Sequence, residues 1–359
     1  MIKLYDVAVV GGHGLVSKAI VNDLFKYNFP IKNLVIYGSK EHKDIELISN
    51  GKKFKVDTID EENIPHFDLV FFSTGDDLSY KYAPLFIKKG ARVIDNSSYF
   101  RMDEKVPLVI PEINKEDLLN ETMIYANPNC TTILLLLASK AVHKLFSLEK
   151  IIVSSYQSVS GAGSLALQEF FNEMHNENYQ PKVLPSKNAT KKQIYNNILP
   201  IVDEIEEDGY TKEENKIINE SKKILHKKDL ELNPTCVRVP TLFGHGISAS
   251  IVCKEKIDLN ALKEEYKKYS YIRLLEYPNY PDVKSVTGTP LVDIGRLRVD
   301  KYCEYTVNLF ATSDNLIRGA SYNAVMIALA LLELKILWYF INLNQWVMIL
   351  SYFTKKTFA

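Results

Sequence analysis

A short apolar run breaks into glycines and resumes with helical spacing, and this limits what the first part of the chain can become. Val7-Ala-Val-Val10 leads into Gly11-Gly12-His13-Gly14 and then Leu15-Val16-Ser17-Lys18-Ala19-Ile20. The pattern predicts a strand, a tight turn and a helix. Glycines permit that turn and let the backbone approach a pyrophosphate at the helix N-terminus, where unpaired N–H groups favour an anion. The turn reads G-x-x-G-x-x-S, with Ser17 at the last glycine position, a change expected to loosen helix–strand packing. Glycine turns also join strands to helices without any ligand. Its place directly after the first strand therefore carries the dinucleotide reading, with Gly11, His13, Gly14, Leu15 and Val16 as the candidate contacts.

Further strand-like runs follow at Asn33–Tyr37, Leu69–Phe72 and Ala91–Ile94, with a helix expected near Ser79–Lys89. Strands alternating with helices imply a doubly wound parallel sheet with ligands at the carboxyl ends of its strands. From about Lys150 the texture changes to runs such as Ile151–Gln157 and Ile247–Cys253 between polar helices and long connections, before a strong helix returns over Asp314–Glu333. The expected fold class is α/β, an N-terminal Rossmann-like doubly wound sheet plus an α+β catalytic and dimerisation domain. Residues 1–128 and 314–335 are assigned to the first domain, 129–313 to the second and 336–359 to an atypical apolar tail.

The 44 basic and 44 acidic residues cancel, so no basic field points to nucleic acid. The four cysteines, Cys130, Cys236, Cys253 and Cys303, are scattered without ligand spacing, which argues against disulfides and a metal site. Lys3 and Asp6 precede the first apolar run, which therefore reads as a strand and not a signal peptide, and the expected compartment is the cytoplasm. The tail carries Trp338, Tyr339, Phe340, Trp346 and Leu350, but Asn342, Asn344 and Gln345 interrupt it, so a membrane span is not the expected reading.

Asn127-Pro-Asn-Cys-Thr-Thr132 places a cysteine at the polar head of an apolar helical run. Asn129 is a suitable cap, and Cys130 then falls in the first turn, where the positive end of the macrodipole favours thiolate. Arg238 and His245 lie seven residues apart in Cys236–Gly246. Arginine suits bidentate capture of a carboxylate, and histidine suits proton transfer near neutral pH. The second strand ends Tyr37-Gly-Ser-Lys40 with no acid at its tip, and Ser39, Lys40, His42 and Lys43 suit a 2′-phosphate. NADP is therefore the expected cofactor, with Glu41 arguing for only a modest preference.

These motifs together resemble the aspartate-β-semialdehyde dehydrogenase family over nearly the whole chain. The matching segments also include Val93–Met102, Val109–Ile113, Ser155–Gly163, Gly288–Thr289, Asp314–Leu316 and Asn323–Val325. The resemblance implies reductive dephosphorylation of L-aspartyl-4-phosphate by NADPH, in lysine/diaminopimelate, methionine and threonine biosynthesis, by a homodimer or homotetramer. It implies Cys130 as the nucleophile forming an acyl-thioester, Gln157 orienting the acyl group and His245 as acid/base, protonating the developing oxyanion as imidazolium. Arg238 is implied for the substrate α-carboxylate and Glu220 for its α-ammonium. Lys223, Arg101 and Asn129 are implied for phosphate, and Ser160, Gly161 and Asn315 for the nicotinamide side.

Glu41 stands where the family usually has an arginine, Phe243 and Gly246 alter the surroundings of His245, and the tail has no family counterpart. N-acetyl-γ-glutamyl-phosphate reductases share the layout and thioester chemistry, although the Cys130 and Arg238…His245 segments look less like theirs. A nucleotide-binding relative without turnover is the non-enzymatic alternative, against which Cys130, Gln157, Arg238 and His245 count.

Overall fold

The computed structural model describes residues 3–334 except His13 and Glu121; the apolar tail and the expected contact at His13 lie outside the described residues. Strands β1 (Tyr5–Val10), β2 (Ile31–Tyr37), β3 (Glu46–Ser49), β4 (Lys52–Asp57), β5 (Leu69–Phe72), β6 (Arg92–Asp95) and β7 (Ile124–Ala126) form the first sheet. Their order is β3-β4-β2-β1-β5-β6-β7, and every pairing is parallel except β3 with β4. β5 is buried along its whole length, as a parallel strand covered on both faces requires.

Helices α1 (Leu15–Lys26), α2 (Asp76–Lys88) and the short α3 (Pro111–Asn114) serve this sheet. α2 starts three residues before the expected Ser79, because Gly75 caps it and Asp76 and Asp77 lie in its first turn. α4 (Cys130–Leu145) then leaves for the second sheet. It is apolar almost all round, and it packs with strands of both sheets in one continuous core.

The second sheet takes β8 (Leu148–Gln157), β9 (Glu231–Arg238), β10 (His245–Cys253), β11 (Ile272–Leu274), β12 (Val292–Val299) and β13 (Thr306–Ser313) in the order β11-β12-β13-β10-β8-β9. Its connections hold α5 (Ser164–His175), α6 (Lys212–Ile224), α7 (Leu259–Tyr266) and α8 (Val283–Val286). The chain returns to the first sheet in α9 (Ile317–Leu334). Ala324, Val325, Ile327 and Ala328 pack with Val7, Val9 and Ile20. Among the described residues α9 alone is long and apolar enough to cross a membrane, by length and composition, and half of that span is buried in the protein.

Candidate active site

The carboxyl ends of the first sheet, the head of α4 and the ends of β8 and β9 enclose a cavity of about 830 Å³. Asn129 caps α4, its Oδ1 accepting from Thr131 N at 2.8 Å and Thr132 N at 3.2 Å. Cys130 therefore occupies the first helical position and faces the cavity. The helix start is not the only influence on its protonation. Burial and the Glu213 carboxylate push the thiol up to about 12, against the opposing pull of Arg101 and Arg238.

Gln157 and Arg238 are register partners at the ends of the parallel pair β8–β9, which brings both to the cavity. Gln157 Nε2 donates to Glu213 Oε1 at 3.1 Å, and Arg238 Nη1 donates to Ser158 O at 2.7 Å. Arg238 Nε is buried without a partner among the described residues. His245 opens β10 behind Gly161, and a Cβ built on that glycine would lie 2.9 Å from Arg238 Nη1 and 3.2 Å from His245 Nε2. Ser158 N donates to His245 Nδ1 at 3.1 Å, so Nδ1 is an acceptor and the ring proton sits on Nε2. Burial and the Arg238 charge lower the imidazole to about 3. Without ligand the ring is therefore held neutral, because a second ring proton would be unhydrated and beside a guanidinium.

Two further expectations fail on α6. Glu220 does not reach the cavity: it is 1% exposed, with Oε1 accepting from Arg101 Nη1 at 2.9 Å and Oε2 from Asn129 N at 2.7 Å. Lys223 turns away, its Nζ donating to the carbonyls of Arg101 (2.7 Å), Asp103 (2.7 Å) and Val106 (2.8 Å). All three ammonium hydrogens are thereby used. The cavity is lined instead by Glu213 and Lys216, which sequence reasoning missed. Glu213 Oε1 accepts from Asn129 Nδ2 at 2.9 Å as well as from Gln157. Lys216 Nζ lies 2.7 Å from Asp203 and 3.6 Å from Glu213; burial works against its charge, yet those two carboxylates hold it above its ordinary value. Arg101 and Asn129 do line the cavity.

At the other end, Gly14, Leu15 and Val16 line the cavity at the head of α1, whose first turn has no side-chain cap among the described residues. Gly11 N and Gly12 N both donate to Tyr37 O, at 2.9 and 2.7 Å. A Cβ at Gly11 would lie 2.5 Å from both Ser17 Oγ and Ser73 Oγ, so only glycine fits. Ser17 does not loosen this turn; it is buried and bonded to Ser73 across the sheet at 2.6 Å. A helix start without a side-chain cap among the described residues, behind a glycine turn, suits a pyrophosphate. Ser160, Gly161 and Asn315 line the same cavity, and Asn315 Oδ1 accepts from Gly244 N at 2.9 Å and Ser158 Oγ at 3.2 Å. Ser39 and His42 stand apart from it, on the exposed turn Lys40–His42, and hydrogen-bond each other at 2.8 Å.

Residues 6–121 match the family profile described as semialdehyde dehydrogenase, NAD binding domain, and residues 140–318 match semialdehyde dehydrogenase, dimerisation domain. Aspartate-semialdehyde dehydrogenase from Aquifex aeolicus is 37% identical over 330 residues, 90% of this chain and 97% of the relative. The Bacillus subtilis enzyme of that name is 37% identical over 339 residues, 92% of this chain and 98% of the relative. The crystal structure of aspartate semialdehyde dehydrogenase II from Vibrio cholerae superposes with a TM-score of 0.86 at 34% identity, covering 92% of this chain and 99% of that one. The chain belongs to the aspartate-semialdehyde dehydrogenase family. It is an oxidoreductase with an N-terminal nicotinamide-dinucleotide-binding domain and a C-terminal dimerisation domain.

An aspartate-semialdehyde dehydrogenase must seat a dinucleotide beside its substrate, and the one cavity reaches from the head of α1 to Cys130 and Arg238. Ser73, Thr74 and Asp76 add polar groups near the glycine turn, and Lys187 adds a cation at the rim. No group of three or more His, Cys, Asp or Glu that could hold a metal is present among the described residues.

Proposed function

We propose that the protein reduces L-aspartyl-4-phosphate to L-aspartate-4-semialdehyde and phosphate with NADPH, through an acyl-thioester on Cys130. The observation that carries this reading is the charge pattern around that thiol. Arg238, Glu213 and the Lys216–Arg101 pair line the one cavity, matching the carboxylate, ammonium and phosphate of one amino-acid phosphate. A structure of a Vibrio cholerae relative, 33% identical, is described as complexed with ASA.

Arg238 holds the α-carboxylate through its planar fork, and Glu213 holds the α-ammonium. Lys216, Arg101 and Asn129 hold the phosphate. Gln157 orients the acyl group against Cys130. Sulfur attacks the acyl carbon, the C–S bond forms, and the C–O bond to phosphorus breaks with its electron pair leaving on phosphate. The thiol proton ends on the departing phosphate, whose charge Lys216 and Arg101 offset. When bound, the dinucleotide supplies the hydride that brings the thioester to the aldehyde level. Gly11, Gly14, Leu15 and Val16 hold its pyrophosphate side, and Ser160, Gly161 and Asn315 its nicotinamide side. Ser39, Lys40, His42 and Lys43 favour NADP, and Glu41 keeps that preference modest.

The proposal takes residues 1–128 with 314–335 as the dinucleotide domain and 129–313 as the catalytic and dimerisation domain. It places a homodimer or homotetramer in the cytoplasm, feeding lysine/diaminopimelate, methionine and threonine synthesis. The test is NADPH formation from aspartate semialdehyde with and without phosphate. Strict phosphate dependence with aspartate semialdehyde is the expected result. Turnover only with N-acetyl-glutamate semialdehyde, or none with either aldehyde, overturns the assignment.

A further inference from the structure

The head of α9 is a five-residue π-helical turn, Ile317–Ser321, of a kind often found at functional sites. Two neighbouring residues of this turn make opposite contacts. Gly319 rests on Cys130: a Cβ built there would lie 2.7 Å from Cys130 Cβ and 3.2 Å from its Cα. No side chain fits at that contact.

Arg318 takes the other direction. It is fully buried and stands outside the cavity that Gly319 lines. Its Nη1 donates to Glu112 Oε1 at 2.6 Å and its Nε to Pro290 O at 2.7 Å. The guanidinium lies 4.5 Å from the Tyr322 ring centre and 5.2 Å from that of Tyr271. Glu112 belongs to α3 beside the first sheet, whereas Pro290 and Tyr271 flank the strands of the second. One side chain therefore fastens the turn to both layers. Burying a guanidinium so deeply gains little stability over an apolar residue of the same volume, so packing alone does not account for it.

We infer that Arg318 is a positioning residue for the Cys130 nucleophile, acting through the Gly319 backbone that rests on it. The inference depends on the reading of Cys130 as the nucleophile. Arg318 fixes where the turn sits, the turn fixes how closely Gly319 approaches, and that approach sets the position of the thiol.

The experiment compares full-length Gly319→Ala, Arg318→Met, Arg318→Lys and Cys130→Ala proteins with the parent. It measures kcat, KM for NADP, Tm, and the pH dependence of iodoacetamide alkylation followed at Cys130 by peptide mass spectrometry. A displacement of about 1 Å at a reacting group lowers the rate on the order of 10²-fold, so Gly319→Ala should lose about that much kcat with KM for NADP nearly unchanged. Arg318→Met should lose about tenfold or more and shift the alkylation profile at Cys130. Arg318→Lys should recover part of the rate, since an ammonium reaches Glu112 but lacks the fork that also serves Pro290. Arg318 variants with lowered Tm but unchanged kcat and unchanged alkylation reduce the residue to a structural role and overturn the inference. If Arg318→Met is insoluble, Arg318→Lys and Gly319→Ala decide it by the same two readouts. Cys130→Ala separates the layers. Turnover in that protein removes the nucleophile reading itself, whereas a dead Cys130→Ala beside normal Arg318 variants removes only the positioning role.

Discussion

Helix α6 carries two Glu-x-x-Lys pairs, Glu213–Lys216 and Glu220–Lys223, one heptad apart and hence on nearly the same face. Their chemistry is identical and their surroundings are not. The first pair lies in the opening turns and lines the cavity; the second lies about 10 Å further along the axis, beyond it. Glu220 ties Arg101 to the backbone of Asn129, and Lys223 gathers the carbonyls of the segment that follows Arg101. The first pair presents its charges to the cavity while Lys216 stays paired with Asp203, and the second spends its charge holding two ligand-facing residues still. Residue type and spacing cannot separate such twins; distance from the cavity does.

The sharpest way to break this contrast is to remove each ammonium separately. Lys216→Met should lower kcat/KM for phosphate in the phosphorolytic direction by about 10²–10³-fold, the usual loss when one preorganised charge is removed. Its Tm should change little, since Asp203 is left at the cavity wall with access to water. Lys223→Met should do the reverse: kcat/KM within about threefold, but stability lower by about 1 kcal/mol, because a charged donor is lost from two part-buried carbonyls and one exposed one. Steady-state kinetics and urea unfolding on both proteins decide it. A Lys223→Met enzyme with the larger kinetic defect would return the phosphate role to the second pair.

Glu213 and Glu220 extend the same contrast to the acids. Glu213→Gln keeps the shape and the contacts to Asn129 and Gln157 but removes the charge proposed to meet the α-ammonium. KM for aspartate semialdehyde should rise about 10- to 100-fold, the worth of one charge-assisted hydrogen bond, with a smaller change in kcat. The same substitution removes the carboxylate that opposes ionisation of Cys130. The pH profile of alkylation of the resting thiol should therefore shift to lower pH, a change that mere loosening of the packing does not produce. Unchanged KM and unchanged alkylation together would detach Glu213 from the substrate.

Much of this was legible beforehand, and for definite reasons. The glycine turn, the Asn129 cap and the end of β8 are local features, and period and cap chemistry place them without tertiary knowledge. The first turns of α6 had a usable signal too. Thr211-Lys-Glu-Glu214 forms a capping box, which fixes the helix start and puts Glu213 and Lys216 in its first two turns. What stayed hidden was set by packing. Cys130 stands at a helix start as expected, yet burial and Glu213 push its thiol up. Gly319 resting on Cys130 joins positions far apart in the chain, and no local rule marks it.

His245 gives the smallest effect and tests the opposite strategy, a group kept neutral where α6 keeps its groups paired. Its imidazole falls from an ordinary 6.5 to about 3 in the fold, from burial and the Arg238 charge. Between those values the unfolded chain binds a proton that the folded protein does not. The stability linked to this residue is therefore whole above about pH 6.5 and is lost as pH falls, by at most about 1.4 kcal/mol per unit. His245→Gln removes the titrating group while keeping an amide near Ser158. Between pH 7.5 and 5.5 the variant should lose less unfolding free energy than the parent, by roughly 1 kcal/mol. Urea titrations at the two pH values measure the difference. Equal losses would mean that His245 accepts its proton in the folded state, and the ring would be an imidazolium before any ligand binds.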